Sequence, residues 1–262
     1  MVKLPMSRKL SAYEKNYLLR QGINPTDIDK FGEMPVEYIG CEVQFRELNL
    51  TVNPDVLIPR VETEELVELV VARLDDLAAA DSEPLRLADI GTGSGAIAIS
   101  LAVELEKMRL PAEIVATDVS EAALAVAKEN AQRILGDRKK SVVNVKFYLS
   151  NLLTNLPSQQ FDAIIANLPY IPSERLPYLP KSVVAYEPEI ALDGGSDGLR
   201  LIKLLLSQAK NYLKPNGLVF LEVDYTHTRE VLSKLLPGYT VEMIDDSLSR
   251  NRFAILRLKT DF

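Results

Sequence analysis

The chain has 262 residues, with 30 basic against 37 acidic side chains and a net charge of −7. That length accommodates one large α/β domain with an appendage, or two modest domains, and the acidic balance disfavours nonspecific binding to a phosphate backbone and favours a protein or small-molecule partner. Cys41 is the single cysteine, which excludes an internal disulfide and a thiolate metal cluster and points to a reducing, cytoplasmic compartment; no apolar run reaches membrane-spanning length, and residues 1–9 lack the apolar core of a signal peptide.

In chain order, residues 11–21 read as a helix stopped by Gly22, and Pro25-Thr26 opens a second short one, together a small appendage. The one plausible linker falls near residues 30–35. Residues 37–52 alternate apolar and polar positions in two runs, with Val43, Phe45, Leu48 and Leu50 among the apolar ones, which predicts a strand pair. Over residues 63–80, Leu66, Val67, Val70, Leu74 and Leu77 recur at helical spacing, and Glu62, Glu64 and Glu65 place negative charge in the first turn, where the helix dipole favours it.

From residue 85 onward strand and helix patterns alternate. Strands are expected over 85–90, 113–118, 142–149 and 161–167, with helices over 95–107 and 120–134, the latter capped by Ser120. A helix over 199–213, stopped by Lys214-Pro215-Asn216-Gly217, precedes strands over 218–223, 239–244 and 252–259. This alternation predicts an α/β fold with a doubly wound, mainly parallel seven-stranded sheet and right-handed crossovers. Phe161, Ala163, Ile164, Ile165 and Ala166 read as a strand buried on both faces at its centre, so chemistry is expected at the C-terminal end of that strand.

The first of these strands ends in Asp89-Ile90-Gly91-Thr92-Gly93-Ser94-Gly95. Glycines let the backbone turn tightly and approach a ligand, and the following helix presents unpaired N–H groups to an anion. Gly91, Gly93 and Ala96 also satisfy the dinucleotide fingerprint, and Asp118 stands where an acid accepts hydrogen bonds from ribose hydroxyls, so two cofactor classes remain open on this pattern alone. The fourth strand ends in Asn167-Leu168-Pro169-Tyr170. Asn167 offers a donor and an acceptor side by side, Leu168 a backbone carbonyl, Pro169 a fixed torsion with no competing donor, and Tyr170 a flat face with a polar tip. Such a set can hold a planar amide or amidine nitrogen; the plainer alternative is an ordinary Asn-X-Pro turn.

Taken together, Asp89, the GTGSG turn, Asp118 and the Asn-Leu-Pro-Tyr end resemble the S-adenosylmethionine-dependent methyltransferases that modify a planar nitrogen, and more specifically the protein-glutamine N5-methyltransferases that act on peptide chain release factors. The resemblance covers nearly everything from Met34 on. The stretch from Met34 to Gly40 with Phe45 is similar to the family's hairpin, Leu57-Ile-Pro-Arg-Val-Glu-Thr-Glu64 resembles its Ile-Pro-Arg-Pro-(Glu/Asp)-Thr-Glu signature, and the stretch from Tyr186 to Gly198 matches the segment after the catalytic strand. The resemblance implies a helical segment over 1–33, shorter than the family's N-terminal domain, a β-hairpin over 34–58 and a class I, Rossmann-like methyltransferase domain over 59–262. Three positions depart from the pattern. Leu168 stands where the family writes Pro, Asn151 replaces an acid near the adenine, and Glu222-Val-Asp-Tyr-Thr-His227 replaces Glu-Ile-Gly-X-X-Gln.

What the resemblance implies for chemistry is methyl transfer from S-adenosylmethionine, leaving S-adenosylhomocysteine, to the side-chain amide of a glutamine, with no metal. Asn167 and the Leu168 carbonyl are expected to accept the two amide N–H groups, with Pro169 and Tyr170 completing the catalytic set and Tyr170 stacking on the amide plane. Cofactor contacts are expected from Asp89, Gly91, Thr92, Gly93, Ser94, Gly95, Asp118, Asn151, Leu152 and Asn167. The partner implied is a protein substrate, the release factors with their Gly-Gly-Gln loop, without stable nucleic-acid or membrane binding, the chain acting as a monomer. Residues 168–197 exceed an ordinary connection and read as the wall or lid of the substrate cleft, while His227, the single histidine, reads as a solvated residue at a helix start. Three other functions fit parts of the pattern. They are methylation of adenine N6 in DNA or RNA, which uses the same Asn-X-Pro-Tyr geometry on a flipped base; a nicotinamide-dependent oxidoreductase, which leaves residues 167–170 unexplained; and a non-enzymatic adaptor.

Overall fold

The computed structural model describes residues 8–74, 77, 84–136 and 141–259. Ser11 begins the first helix, α1 (Ala12–Arg20), through a capping box in which its hydroxyl accepts from the Glu14 N–H and the Glu14 carboxylate accepts from the Ser11 N–H. A 3-10 turn over Pro25–Phe31 and a single helical turn, α2 (Val36–Ile39), follow. Residues 37–39 are therefore helical, and the strand pair predicted over 37–52 is confined to β1 (Glu42–Phe45) and β2 (Leu48–Thr51). The stretch expected as a linker is a turn whose Gly32 and Met34 carbonyls both accept from the Arg8 guanidinium. Leu18, Ile28 and Val36 form a small apolar cluster of their own, whereas Val43, Phe45 and Leu50 of the hairpin join the main core.

The chain then enters α3 (Val61–Ala72) and the alternating region: β3 (Leu85–Ile90), α4 (Ala96–Met108), β4 (Ala112–Asp118), α5 (Glu121–Leu135), β5 (Val143–Leu149) and β6 (Phe161–Ala166). Beyond the residue 168–197 connection, with its turn α6 (Lys181–Tyr186), come α7 (Arg200–Ala209), β7 (Leu213–Glu222), α8 (Arg229–Leu235), β8 (Tyr239–Asp245) and β9 (Asn251–Leu258). The seven strands lie in the order β5-β4-β3-β6-β7-β9-β8, parallel from β5 through β7, with β9 antiparallel to both neighbours. The helix predicted to run to residue 213 ends at Ala209. Leu213 instead pairs with Phe161, and the register shifts before Leu218 pairs with Ala163, so 214–217 form a bulge inside β7. The end of the helix predicted over 63–80 lies partly outside the described residues.

Period-two alternation along the central strands explains the two packed layers. Leu87, Ala163, Ile165 and Phe220 face α3, α4 and the hairpin, while Ala88, Ile90, Ile164, Ala166 and Leu221 face α7 and α8. Full burial of each large side chain contributes about 1.5–3 kcal/mol, so both faces of β3 and β6 are anchored. Between β3 and β6 the chain order reverses: β4 and β5 build outward on one side, β6 and β7 on the other. Ligands of open α/β sheets bind outside the carboxyl ends of the strands at such a reversal. Among the described residues no helix is long and apolar enough to cross a membrane.

Candidate active site

Two turns leave the sheet side by side at this reversal. After β3, Gly91, Gly93 and Gly95 all adopt positive φ, and the turn is fastened by the Gly91 and Thr92 N–H groups donating to the Thr117 carbonyl at 2.9 and 2.8 Å. Asp89 is wholly buried beneath it, where its Oδ2 accepts from the Thr92 hydroxyl at 2.6 Å and from the Ala98 N–H at 3.1 Å. Burial pushes its carboxyl up to about 7, against the pull of those two hydrogen bonds. Asp118, at the end of β4, accepts from the Gly93 N–H through one oxygen and from the Ser120 N–H through the other, each at 2.9 Å, and both oxygens keep acceptor capacity. Gly95 begins α4 without a Cβ because one there would meet Ile99 Cδ1 at 2.8 Å and Ala127 Cβ at 3.3 Å.

After β6 comes the second turn. The Leu168 side chain is buried against the first one, its Cδ2 3.0 Å from where a Cβ on Gly91 would lie, so the two turns approach as closely as a glycine permits. Between them opens a cavity of about 470 Å³. Gly91, Thr92, Gly93, Ser94, Asp118, Asn151, Leu152, Asn167, Leu168 and Pro169 all line it. Three expected site residues do not. Asp89 and Gly95 lie behind the glycine turn and shape it, and Tyr170 points its hydroxyl away to Glu222 Oε1 at 2.9 Å.

Several groups that complete the site were not picked out from the sequence as site residues. The Asn167 Nδ2 donates to Thr63 Oγ1 at 2.9 Å, and the Thr63 hydroxyl donates to Glu222 Oε2 at 2.8 Å. Glu222 is buried, which raises its carboxyl pKa above the usual range against the opposing bonds from Thr63 and Tyr170 and the nearby Arg252. A carboxylate in an apolar-looking strand end carries no sequence signal of its burial; Thr63 was visible only as one position of the Leu57 to Glu64 signature. The residue 168–197 connection is folded, not open chain: 3-10 turns at Ser173–Tyr178 and Glu189–Ala191 flank α6, and Ile171 bridges to Asp193. Its Pro188, Ile190 and Ala191 form a wall of the cavity. Glu187, just before them, pairs with Arg60 at the start of α3. On the far side of the connection a Cβ on Gly198 would lie 2.2 Å from the Tyr170 carbonyl oxygen, so only glycine fits.

His227 does precede a helix, but it is only 3% exposed and not solvated. Its Nδ1 accepts from the Asp224 N–H at 3.2 Å while Nε2 lies 3.0 Å from the Asp197 carbonyl, so the ring is neutral with its proton on Nε2 and ties β7 to the end of the connection. Desolvation lowers its pKa below the ordinary value, in keeping with that form.

Comparison with known proteins follows the same lines. Residues 81–249 match the family model described as a methyltransferase domain. A release factor glutamine methyltransferase of Coxiella burnetii is 41% identical over 199 residues, covering 76% of this chain and 65% of that protein, and one from Moorella thermoacetica is 40% identical over 221 residues, covering 83% and 73%. The chain belongs to the release factor glutamine methyltransferase family. Human MTRF1L release factor glutamine methyltransferase is 38% identical over 77% of this chain and 59% of its own length, so the chain spans about three-fifths to three-quarters of these relatives. Among solved structures, the catalytic domain of hMettl16 in complex with MAT2A 3′UTR hairpin 6 superposes with a TM-score of 0.59 at 17% identity, covering 99% of this chain and 87% of that one; this likeness shows the class I fold alone. The two segments that carried the glutamine methyltransferase resemblance, 57–64 and 186–198, meet at the cavity: Leu57, Pro59 and Thr63 line it from one, Pro188, Ile190 and Ala191 from the other, and Arg60 with Glu187 joins them.

Proposed function

We propose that this protein transfers a methyl group from S-adenosylmethionine to the side-chain amide nitrogen of a glutamine in peptide chain release factors. Family membership supports the substrate class. The observation that carries the reading is that Asn167, Leu168 and Pro169 share one cavity with the Gly91 to Ser94 turn and Asp118. The residues present fit the methyl donor. A Cβ on Gly93 would meet nothing within 4 Å, so bare backbone faces open space at the N-terminus of α4, Asp118 has lone pairs to receive ribose hydroxyls, and buried Leu152 offers an apolar surface beside exposed Asn151 for the adenine. When bound, the donor supplies an electrophilic methyl on a sulfonium sulfur and leaves as S-adenosylhomocysteine.

A carboxamide nitrogen is a poor nucleophile because its lone pair is delocalised into the carbonyl, so orientation and electrostatic stabilisation have to supply the catalysis. Asn167 spends its Nδ2 on Thr63, which leaves Oδ1 as the acceptor at the cavity. That oxygen and the Leu168 carbonyl accept the two N–H groups of the glutamine, fixing the nitrogen and favouring the positive charge that develops on it; one of those two protons then passes to water, leaving the neutral N-methyl amide. Pro169 adds no N–H to compete with them. Tyr170, clamped by Glu222, stiffens the turn beneath these acceptors. Asp89 acts through the glycine turn it fastens. The test is incubation with labelled S-adenosylmethionine, a release factor of the same organism, and total nucleic acid. Label is expected in the release factor; label in nucleic acid would instead select the adenine N6 reading.

A further inference from the structure

Asn167 can present either end of its carboxamide to the cavity, and the two ends are opposite in chemistry: the oxygen accepts and the NH2 donates. Only the oxygen can receive an N–H of an acceptor amide. The groups that choose between the ends are Thr63, in the cavity wall, and Glu222, buried behind it. Thr63 Oγ1 is 2.9 Å from Asn167 Nδ2 and 2.8 Å from Glu222 Oε2, and the other Glu222 oxygen accepts from the Tyr170 hydroxyl. Thr63 and Glu222 are 4% and 1% exposed. The Thr63 hydroxyl has one proton, and both Glu222 oxygens are used as acceptors, Oε2 by Thr63 and Oε1 by Tyr170, so that proton is committed to Glu222. The Thr63 oxygen is then an acceptor, and only the NH2 end of Asn167 satisfies it. The opposite amide orientation would set two acceptors against each other with no proton between them, one of them on buried Thr63.

Two neighbours of Glu222 favour this polarity. Tyr170 donates to it, and Arg252 of β9 places a guanidinium 3.5 Å from the Tyr170 hydroxyl and 5.9 Å from the centre of its ring. Arg252 is itself buried and donates to the Val223 carbonyl at 3.2 Å. The opposing charge is Glu62 on α3, which raises the cost of ionising Glu222. We infer that Thr63 and Glu222 are positioning residues, a relay on α3 and β7 that holds the Asn167 carboxamide with its oxygen toward the acceptor and so sets the hydrogen-bond polarity of the site. The inference rests on the proposed amide methylation for the identity of the acceptor, while the orientation of Asn167 can be read without any turnover.

Four variants test it: Thr63→Val, Thr63→Ser, Glu222→Gln and the Thr63→Val/Glu222→Gln double. Removing the hydroxyl in Thr63→Val is expected to lower kcat roughly 10–100-fold, the scale of one misdirected transition-state hydrogen bond, with donor affinity within about twofold of wild type. Thr63→Ser keeps the relay and restores kcat to within about threefold. Glu222→Gln leaves the 222 side chain one acceptor oxygen where the carboxyl group had two, so Thr63 and Tyr170 can no longer both donate to it, and the double variant is no worse than the poorer single by more than about threefold because both changes break one chain of bonds. In parallel, nuclear Overhauser contacts between the Asn167 side-chain NH2 and the residue 63 side chain are expected in wild type and weakened in Thr63→Val, where no acceptor oxygen holds the NH2. Full turnover in Thr63→Val, a Thr63→Ser variant as slow as Thr63→Val, donor affinity falling in step with kcat, or unchanged NH2 contacts in Thr63→Val would each overturn the relay. If Glu222→Gln does not fold, the Val and Ser variants at 63, read by both kcat and the NH2 contacts, decide it. Absence of methyl transfer to a release factor by wild type would fail the proposed function, and the NH2 contacts would then decide the relay alone.

Discussion

Asp89 is a carboxyl shut away from water: it is fully buried, Oδ1 has no partner among the described residues, and desolvation raises its pKa from 3.8 to about 7. A folded-state pKa above the unfolded one contributes stability that is complete below the unfolded value and lost as pH rises through the folded value. The window therefore runs from about 4 to 7. Asp89→Asn cannot ionise, so its melting temperature relative to wild type is expected to rise across that window; parallel melting curves against pH would refute the assignment. At Asn167 the prediction separates two free energies. Asn167→Ala is expected to raise the barrier to turnover by roughly 2–4 kcal/mol while calorimetry finds donor affinity nearly unchanged, because the side chain addresses the acceptor. Asp118→Ala should do the reverse, weakening the donor by roughly 1–3 kcal/mol, since its carboxylate both faces the cavity and holds the Gly93 N–H. At this scale the sequence was legible where residue type and position coincide, as in Gly91, Asp118 and Asn167. It assigned Glu222 no role beyond the segment that departs from the family pattern and misread buried His227 as solvated, since whether a polar side chain is buried depends on what packs over it.

Among elements, β3 and β6 were readable to within a residue because a strand buried on both faces shows mostly apolar residues, as Ala163 to Ala166 do. The connection from 168 to 197 was readable only in outline. Its proline-started turns are too short to display a helical period, and what folds it is long-range: the Ile171 bridge to Asp193, the two bonds from Arg175 to Asp224, and Arg60 with Glu187. The bulge at 214–217 misled for a related reason, since Pro and Gly usually end elements and here sit inside a strand. The Arg60 pair gives a test of how the connection is held. Glu187 is buried and also accepts from the Ile58 backbone, while Arg60 is 37% exposed. Losing Arg60 leaves a buried carboxylate short of its partner, so Arg60→Ala is expected to destabilise the fold by about 1–3 kcal/mol, between the limits for surface and buried pairs, and to raise KM for the protein acceptor more than donor Kd. Unchanged stability and KM would show that the connection is fixed without it.

For the molecule as a whole, the order of strands determines where chemistry can happen. The reversal between β3 and β6 brings a phosphate-type glycine turn and an Asn-X-Pro turn from chain positions more than seventy residues apart to the two sides of one cavity. The α1 region stands apart from this arrangement, with Leu18, Ile28 and Val36 in a separate cluster. Deleting residues 1–30 is accordingly expected to leave kcat nearly unchanged and to raise KM for a release factor by less than about tenfold, one step of ~1.4 kcal/mol; a folded, donor-binding truncation without methyl transfer would make that region part of the active assembly. The central claim is that the cavity holds a glutamine amide between Asn167 and Leu168. Its most direct test is tandem mass mapping of a release factor after incubation with the protein and isotopically labelled S-adenosylmethionine. The predicted result is one labelled methyl on the side-chain amide nitrogen of the glutamine in the Gly-Gly-Gln loop, absent with Asn167→Ala; a methyl on any other residue, or none with wild type, would contradict it.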